Sequence, residues 1–318
     1  MLLYVVRRSL LGLGVVVVTA ILAYGGWRFL RSDLPENSGP WLASTWAELK
    51  RALLHRDYGV ACSFASLQGS GCKSIKDLFD RGWQADLWML AGTVALGTFT
   101  GMAGGLWCAA NAGKLRARVL EAVAMLGLCA PPFVFGYGLL LAFDPTFGFI
   151  QVPLFFDVHV YQPPYVDPWS FLRAMLVPWI VAGAPVFAIV LRITRSAVIE
   201  GSDELFMQTA IAKGLSAKTA IYRHARPVAY PTVFAWIGTS SALIVTNVLI
   251  TETVFSVPGF LLHTQRALKP PNRPDYLDHV LLQALAVWGA VLVVGLSIVS
   301  DVLIVAKDPR VRASGRIG

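Results

Sequence analysis

The segment DELFMQTAIAKGLSAKTAIYRHARP, residues 203–227, is polar, yet it lies between two long apolar stretches of the chain. Its pattern predicts two short helices. The first, near Glu204–Lys213, would begin after a Ser202 cap and end at Gly214, a residue type that commonly terminates helices. The second would be capped by Ser216 and would stop before Pro227. The segment therefore predicts a structured loop.

The first of these helices carries apolar or small residues at helical spacing on what the sequence predicts to be one face, namely Phe206, Met207, Ala210, Ile211 and Gly214. Two interpretations fit this pattern. The helix could lie flat on a membrane surface, with its lysines directed to lipid headgroups. It could instead dock into a groove on a partner protein. The residues of the segment alone leave both open.

The rest of the chain has the composition of a membrane protein. Of its 318 residues, 56% are hydrophobic and only 14% are charged, with a mean hydropathy of +0.60, whereas a soluble domain carries about 25% charged residues. The apolar residues form runs long enough to cross a bilayer as helices. We therefore expect an all-α polytopic membrane protein with six transmembrane helices. They are predicted at Ser9–Leu30, Ala85–Asn111, Val119–Phe143, Trp169–Thr194, Tyr230–Glu252 and Val280–Ala306. The first is expected to be retained as a span, because its apolar run is longer than that of a signal peptide.

The basic residues predict the orientation. They concentrate in the segments that would share one side of the membrane, at Arg7, Arg8, Lys114, Arg116, Arg118, Lys213, Lys218, Arg223, Arg226, Arg310 and Arg312, whereas the loop Asp144–Pro168 has no Lys or Arg. By the positive-inside rule, both termini are cytoplasmic. The net charge of +8 is then explained by membrane topology and gives no reason to expect nucleic-acid binding.

The four cysteines divide into two pairs. Cys62 and Cys72 share the first outer loop, where a disulfide is possible in an oxidising compartment. Cys108 and Cys129 lie within predicted spans and are interpreted as packing residues.

The chain lacks several motifs that would indicate an active site. It contains no P-loop, no H-E-x-x-H and no G-x-S-x-G, and its five histidines are scattered, so we expect neither an enzyme nor a metal site. No acidic residue lies clearly at mid-membrane, as an ion-coupled carrier would usually require. Asp301 is near the inner end of the sixth span. We expect it to form an ion pair with Arg192 or Arg195.

The segment MQTAIAKGLSAKTAIYRHA, residues 207–225, resembles the cytoplasmic loop of the permease subunits of binding-protein-dependent ABC importers. It is most similar to the first permease of the dipeptide, oligopeptide and nickel family. The family pattern T-A-x-A-K-G-L, with a His ten residues after the Gly, is matched by Thr209, Ala210, Ala212, Lys213, Gly214, Leu215 and His224.

Motifs elsewhere extend the resemblance over most of the chain. They are YVVRRSL at residues 4–10, DYGVA at 57–61, RITRSAV at 192–198, TETVFSVPGF at 251–260 and DPRVR at 308–312. Phe206 and Gln208 depart from the family's Tyr-x-Arg, and the spacing from His224 to Pro231 is one residue shorter than usual.

The resemblance implies a type I ABC importer permease fold and a set of partners. The partners would be a homologous second permease, two ATPase subunits that bind ATP and Mg²⁺, an extracytoplasmic substrate-binding protein and the lipid bilayer. This chain itself would bind no cofactor. The residues implied to couple to an ATPase are Glu204, Met207, Thr209, Ala210, Ile211, Ala212, Lys213, Gly214 and Leu215. Met207 and Ile211 would be the apolar anchors, and the small residues would allow close approach.

Peptides are the substrate class that the resemblance favours, while nickel, glutathione and glycosides stay open, as do an ion-coupled carrier and a membrane scaffold. The expected organisation is a first helix with its outer loop at 1–84, a core transmembrane domain at 85–306 containing the coupling loop 195–228, and a cytoplasmic tail at 307–318.

Overall fold

Helices account for nearly all of the described chain. The structure, a computed structural model, describes residues 2–30, 41–55, 57–63, 72–143, 149, 157, 160–269 and 277–307. Within these ranges the α-helices are α1 (Leu2–Leu30), α2 (Trp41–His55), α3 (Ile75–Ala110), α4 (Leu115–Cys129), α5 (Pro132–Phe143), α6 (Pro168–Ser202), α7 (Leu205–Ala212), α8 (Ala217–Ala220), α9 (Arg226–Thr239), α10 (Ser241–Phe255), α11 (Thr264–Leu268) and α12 (His279–Lys307). A π-helical turn, Ile221–Ala225, joins α8 to α9, and a 3₁₀ turn, Leu261–His263, precedes α11. Two short antiparallel strands, β1 (Val60–Ala61) and β2 (Lys73–Ser74), pair with each other.

Four helices, α1, α3, α6 and α12, are long and apolar enough to cross a membrane singly. Two pairs of helices are bent at a short break, and each pair could form one further crossing. They are α4 with α5, bent by 103°, and the helix from Ala217 to Thr239 with α10, bent by 64°. The first bend falls at Pro131 and Pro132. Proline bends a helix there because it removes a backbone donor and clashes with the preceding turn. The six predicted spans thus correspond to these six helical segments.

Close contacts divide the chain into two units. One comprises residues 1–5, 88–255 and 296–318, and the other comprises residues 6–87 and 256–295. The predicted domain boundaries after residues 84 and 306 stay predictions. The predicted tail, except Lys307, lies outside the described residues, as does its DPRVR motif.

In the first unit, α6 packs against α4, α5, α9 and α10. The Asp167 carboxylate caps the start of α6, accepting hydrogen bonds from the backbone N–H groups of Trp169 (3.0 Å) and Ser170 (3.3 Å) and from the Ser170 hydroxyl (2.6 Å). These bonds to Ser170 hold the pKa of the Asp167 carboxyl below its usual value. They also satisfy backbone donors that the first helical turn leaves without partners.

Close packing of α3 on α6 depends on a glycine stripe, at one-turn spacing, formed by Gly97, Gly101 and Gly105. A Cβ at Gly105 would lie 2.6 Å from the carbonyl oxygen of Leu191, and one at Gly101 would lie 2.9 Å from that of Phe187. Small residues allow helix backbones to approach closely in membranes.

In the second unit, two buried carboxylates connect distant segments. Asp86 accepts hydrogen bonds from the Trp288 indole (2.6 Å) and, more weakly, from the backbone of Leu261 (3.4 Å). Asp278 accepts from the backbone N–H groups of Ser63 (2.9 Å) and Leu281 (3.1 Å). These hydrogen bonds therefore compensate each carboxylate for the hydration that it loses on burial.

The structure joins Cys62 and Cys72 in a disulfide next to the β1–β2 pair. Cys108 is buried among Ala117, Ala124 and Leu191. Cys129 is exposed on the surface of the chain, so its predicted packing role has no counterpart within the chain.

Candidate functional site

The predicted coupling loop begins differently from its sequence expectation. Helix α6 continues through Ser202, whose hydroxyl donates to the carbonyl oxygen of Val198 (2.7 Å), so the predicted Ser202 cap of the next helix is wrong. Glu204 is the residue that precedes α7, and its side chain makes no capping hydrogen bond. Helix α6 ends eight residues beyond Thr194, the predicted end of the fourth span, so Ser202 lies within that helix and its hydroxyl bonds back to it.

The C-terminus of α7 is closed by Gly214. Its φ is +91°, a conformation that glycine adopts without steric cost, which confirms the predicted left-handed helix stop. The Gly214 N–H donates to the carbonyl oxygen of Ile211 (2.9 Å), and the Leu215 N–H donates to that of Ala210 (3.3 Å). This pair of bonds is a Schellman motif, and half-buried Leu215 packs beside it as the motif's usual apolar contact.

Two residues of α7 pack against other helices of this chain. Met207 and Ala210 are buried, with exposed fractions of 2% and 7%. They join an apolar cluster with Leu106 and Ala109 of α3 and Val198 of α6, extended by Ala220, Ala225 and Ala229. The expectation that Met207 is an anchor for a partner is therefore wrong: its side chain is used inside this chain.

The remaining surface of α7 is exposed. Leu205, Phe206 and Ile211 have exposed fractions of 77%, 42% and 48%, and Ala212 and Lys213 are exposed beside them. The residues predicted to form one apolar face are thus divided into a buried pair, Met207 and Ala210, and exposed residues that are free to contact a partner. Thr209 is exposed as well, and its hydroxyl donates to the carbonyl oxygen of Leu205 (2.8 Å).

The second helix of the loop is capped as predicted, because the Ser216 hydroxyl accepts from the backbone N–H of Thr219 (3.3 Å). It does not stop before Pro227. The chain passes from α8 through the π-helical turn into α9, with Pro227 in the first turn of α9. Proline is tolerated there because residues of a first turn need no backbone donor. The loop is consequently continuous with the following membrane segment.

An ion pair lies within the same unit. Arg195 Nε is 2.6 Å from Glu121 Oε1 on α4, and both side chains are about one-third exposed. The Arg195 Nε–H forms no hydrogen bond, so the contact is an ion pair without hydrogen-bond geometry. Glu121 is a partner that the sequence analysis did not consider, and pairing of Asp301 with Arg192 or Arg195 stays a prediction.

Glu252 is another residue that the sequence analysis missed. It lies on α10 within TETVFSVPGF and is completely buried. A carboxylate so close to a long apolar run could have drawn attention from sequence alone, as could Glu121 and Asp86.

Among the described residues, no group of three or more His, Cys, Asp or Glu side chains could hold a metal ion. The distinctive feature is a short helix that packs against α3 and α6 through Met207 and Ala210 and exposes other apolar side chains.

Comparison with known proteins agrees with this description. Residues 101–313 match the family model described as binding-protein-dependent transport system inner membrane component. A probable peptide ABC transporter permease protein of Sinorhizobium fredii is 31% identical over 69% of this chain and 66% of its own length. The peptide transport system permease protein SapB of Salmonella typhimurium is 26% identical over 97% of each chain. The putrescine export system permease protein SapB of Escherichia coli is 25% identical over 97% of each chain.

The family match covers more than half of the chain and includes the predicted coupling loop, the bent spans and α12. A chain with these apolar helices is a multi-pass inner-membrane protein, and the family's fold is the type I importer permease fold. This chain belongs to the family of binding-protein-dependent transport system inner membrane components.

Proposed function

We propose that this chain is one permease subunit of an ATP-driven importer of short peptides, forming half of the translocation pathway. The proposal rests mainly on α7, which packs against this chain through Met207 and Ala210 and exposes apolar residues to a partner. It also rests on relatives that are named as peptide permeases. The ATPase subunits that would bind ATP and Mg²⁺ are separate chains, as are a second, homologous permease and a substrate-binding protein.

The exposed face of α7 supplies the contact with one ATPase subunit in this proposal. Leu205, Phe206 and Ile211 present apolar area to a groove of the partner, in the way amphipathic helices are commonly recognised. The buried Met207 and the Gly214 closure hold that face in a fixed position. Movement of the ATPase is thereby transmitted to α6 and α9.

This coupling requires the loop to be cytoplasmic, with both termini on the same side. The basic residues of the loop support that orientation. A membrane-impermeant thiol reagent tests it on a chain whose native cysteines are replaced. A cysteine introduced at Lys218 should be labelled only after the cells are opened. Labelling in intact cells would place the loop outside and overturn the proposal.

Peptides are proposed as the substrate because two of the three relatives described above are named for peptide transport. Putrescine is a second candidate, since a relative that matches along 97% of its length is named for putrescine export. Neither nickel, glutathione nor glycosides appears in the names of those three proteins.

The test is uptake by the whole complex in proteoliposomes. Binding protein and ATP are supplied so that only inward transport is energised. We expect ATP-dependent accumulation of radiolabelled alanyl-alanine and no accumulation of putrescine. Accumulation of putrescine alone would replace the proposed substrate. Dipeptide accumulation that requires an ion gradient but no ATP would overturn the ATP-driven mechanism.

A further inference from the structure

Helix α4 packs against α6 on one side and is exposed along the other. A cluster shared with α6 buries Ala117 and Ala124. By contrast, Val119, Val123 and Leu126 are each more than half exposed. Their spacing of four and three residues places them on a single side of the helix, and we call these three residues the α4 strip. More than half of this apolar strip is therefore left uncovered by the described chain.

The level of the α4 strip in the membrane follows from α6, a candidate span that α4 packs against. On α6, residues 174–191 include no charged residue, and charged residues follow at Arg192 and Arg195. On the pair α4 and α5, residues 122–143 are likewise uncharged, and Glu121 precedes them. Because Arg195 contacts Glu121, both segments change from apolar to charged sequence at the same level. The α4 strip thus begins at the boundary between headgroups and hydrocarbon and extends into the hydrocarbon.

Two arginines lie at this boundary, one on each side of the α4 strip. Arg116 and Arg118 are exposed and precede Glu121 by less than two turns of helix. Since each residue turns the helix by about 100°, Arg116 falls on the same side of the strip as Val123, and Arg118 falls on the other side. Neither arginine has an ion-pair partner or a side-chain hydrogen bond in the part of the chain that the structure describes. Both guanidinium groups are therefore available to an anion.

The charge balance at the start of α4 favours an anionic ligand. Glu121 is the single carboxylate of this helix, and its Oε1 is 2.6 Å from Arg195 Nε, so its charge is already balanced. Lys114 precedes the helix, and its ammonium donates to the neutral side chain of Asn111 (3.2 Å). Positive charge beside an apolar strip is complementary to a phospholipid with a net negative charge, whose phosphate adjoins its acyl chains.

We propose that this part of α4 binds an anionic phospholipid such as phosphatidylglycerol. Its phosphate lies between Arg116 and Arg118, and one acyl chain lies along the α4 strip. Arginine binds phosphate through charge-assisted hydrogen bonds that are frequently bidentate. Phosphatidylethanolamine and phosphatidylcholine carry a positive group that offsets the phosphate charge, so both should bind less well. This site does not depend on which solute the chain transports.

The test is native mass spectrometry of the full chain, extracted with its associated subunits from bilayers of equal parts phosphatidylglycerol, phosphatidylethanolamine and phosphatidylcholine. We expect selective retention of phosphatidylglycerol by the wild type. Arg116→Gln and Arg118→Gln should each lower that retention about fivefold, the effect of one basic residue next to anionic lipid. Arg81→Gln is the matched control, because Arg81 is an exposed arginine near the start of α3 and its loss changes the net charge equally.

Charge reversal at the same positions gives a second readout. The double variant Arg116→Glu and Arg118→Glu should lose the preference for phosphatidylglycerol altogether, because its carboxylates repel the phosphate. If this double variant fails to assemble, the two single glutamine variants still decide the question. Equal retention of the three lipids by the wild type, or unchanged retention in both single variants, would overturn the proposal.

A protein subunit or a free anion could occupy the same surface, and the experiment separates both from the lipid. The spectra also show which subunits stay bound. Loss of a subunit from Arg116→Gln and Arg118→Gln, with unchanged lipid retention, would assign the surface to a protein interface and contradict the lipid site. An excess of inorganic phosphate should leave phosphatidylglycerol bound, because the acyl chain adds contact along the α4 strip. Displacement of the lipid by phosphate would assign the arginines to a free anion and would also contradict the lipid site.

Discussion

At the scale of single residues, Gly214 has the most specific requirement. Its φ of +91° suits glycine, whereas no atom lies within 4 Å of a Cβ built there, so a substitution meets strain without a clash. We predict that Gly214→Val, at a cost of about 1–2 kcal/mol in the loop, uncouples ATP hydrolysis from uptake while the spans remain folded. Gly214→Asn, which tolerates this region better, should retain most activity. The measurement is stimulated hydrolysis and dipeptide uptake in the same proteoliposomes. Normal uptake by the valine variant would remove the role assigned to the helix stop.

The ion pair between Arg195 and Glu121 supports a second prediction at this scale. Because both side chains are about one-third exposed, we expect a modest coupling of roughly 0.5–1 kcal/mol. A double-mutant cycle with Arg195→Gln and Glu121→Gln, followed by thermal unfolding in detergent, measures it. Additive effects of the two substitutions would contradict the ion pair.

Met207 and Ile211 represent the buried and the exposed apolar side chains of α7. Met207→Ala removes a buried side chain, so we predict destabilisation of about 2–4 kcal/mol. Ile211→Ala removes an exposed one and should change stability by less than about 0.5 kcal/mol. Denaturation of the isolated permease, monitored by circular dichroism, separates them. Equal destabilisation by both substitutions would contradict the burial of Met207 and the exposure of Ile211.

At the scale of elements, the close packing of α3 on α6 requires glycine at the positions of α3 that contact the α6 backbone. Gly105→Ala would place a Cβ 2.6 Å from a backbone oxygen, so the helices must separate. We predict a loss of stability of about 1–3 kcal/mol, the usual effect of overpacking. Gly138→Ala on α5 is the control, since nothing lies within 4 Å of its Cβ. Thermal unfolding should show a lower midpoint for the first variant only, and equal midpoints would refute the close approach.

The spans were predictable because length and apolar composition determine them locally. Pro131 and Pro132 likewise predict the break between α4 and α5 through a local effect on helix geometry. The buried face of α7 was not predictable, because apolar residues surround much of that helix. Which of them are buried depends on α3 and α6, whose neighbouring positions no local pattern reveals. The continuation of α8 into α9 was missed for a related reason, since Pro227 is compatible with both a helix end and a helix start.

At the scale of the whole molecule, the loop is joined to several membrane segments by packing and by continuous helix. The cluster around Met207 joins α7 to α3 and α6 and includes Ala220 of α8, and the π-helical turn joins α8 to α9 without an intervening loop. A rigid-body displacement of α7 would therefore move several membrane helices together. The resemblance in sequence indicated which segment is proposed to couple to an ATPase, whereas the packing of that segment on α3 and α6 became visible only in the fold.

The central claim is that the exposed face of α7 receives force from an ATPase. The most direct measurement is copurification of the ATPase subunits with the permease, combined with dipeptide uptake, for the double variant Phe206→Ser and Ile211→Ser. Leu115→Ser, an exposed leucine at the start of α4, is the control. We predict a folded, membrane-inserted double variant that retains less than about a tenth of the ATPase and does not transport, beside a control that does both normally. Full ATPase retention with normal uptake by the double variant would contradict the account.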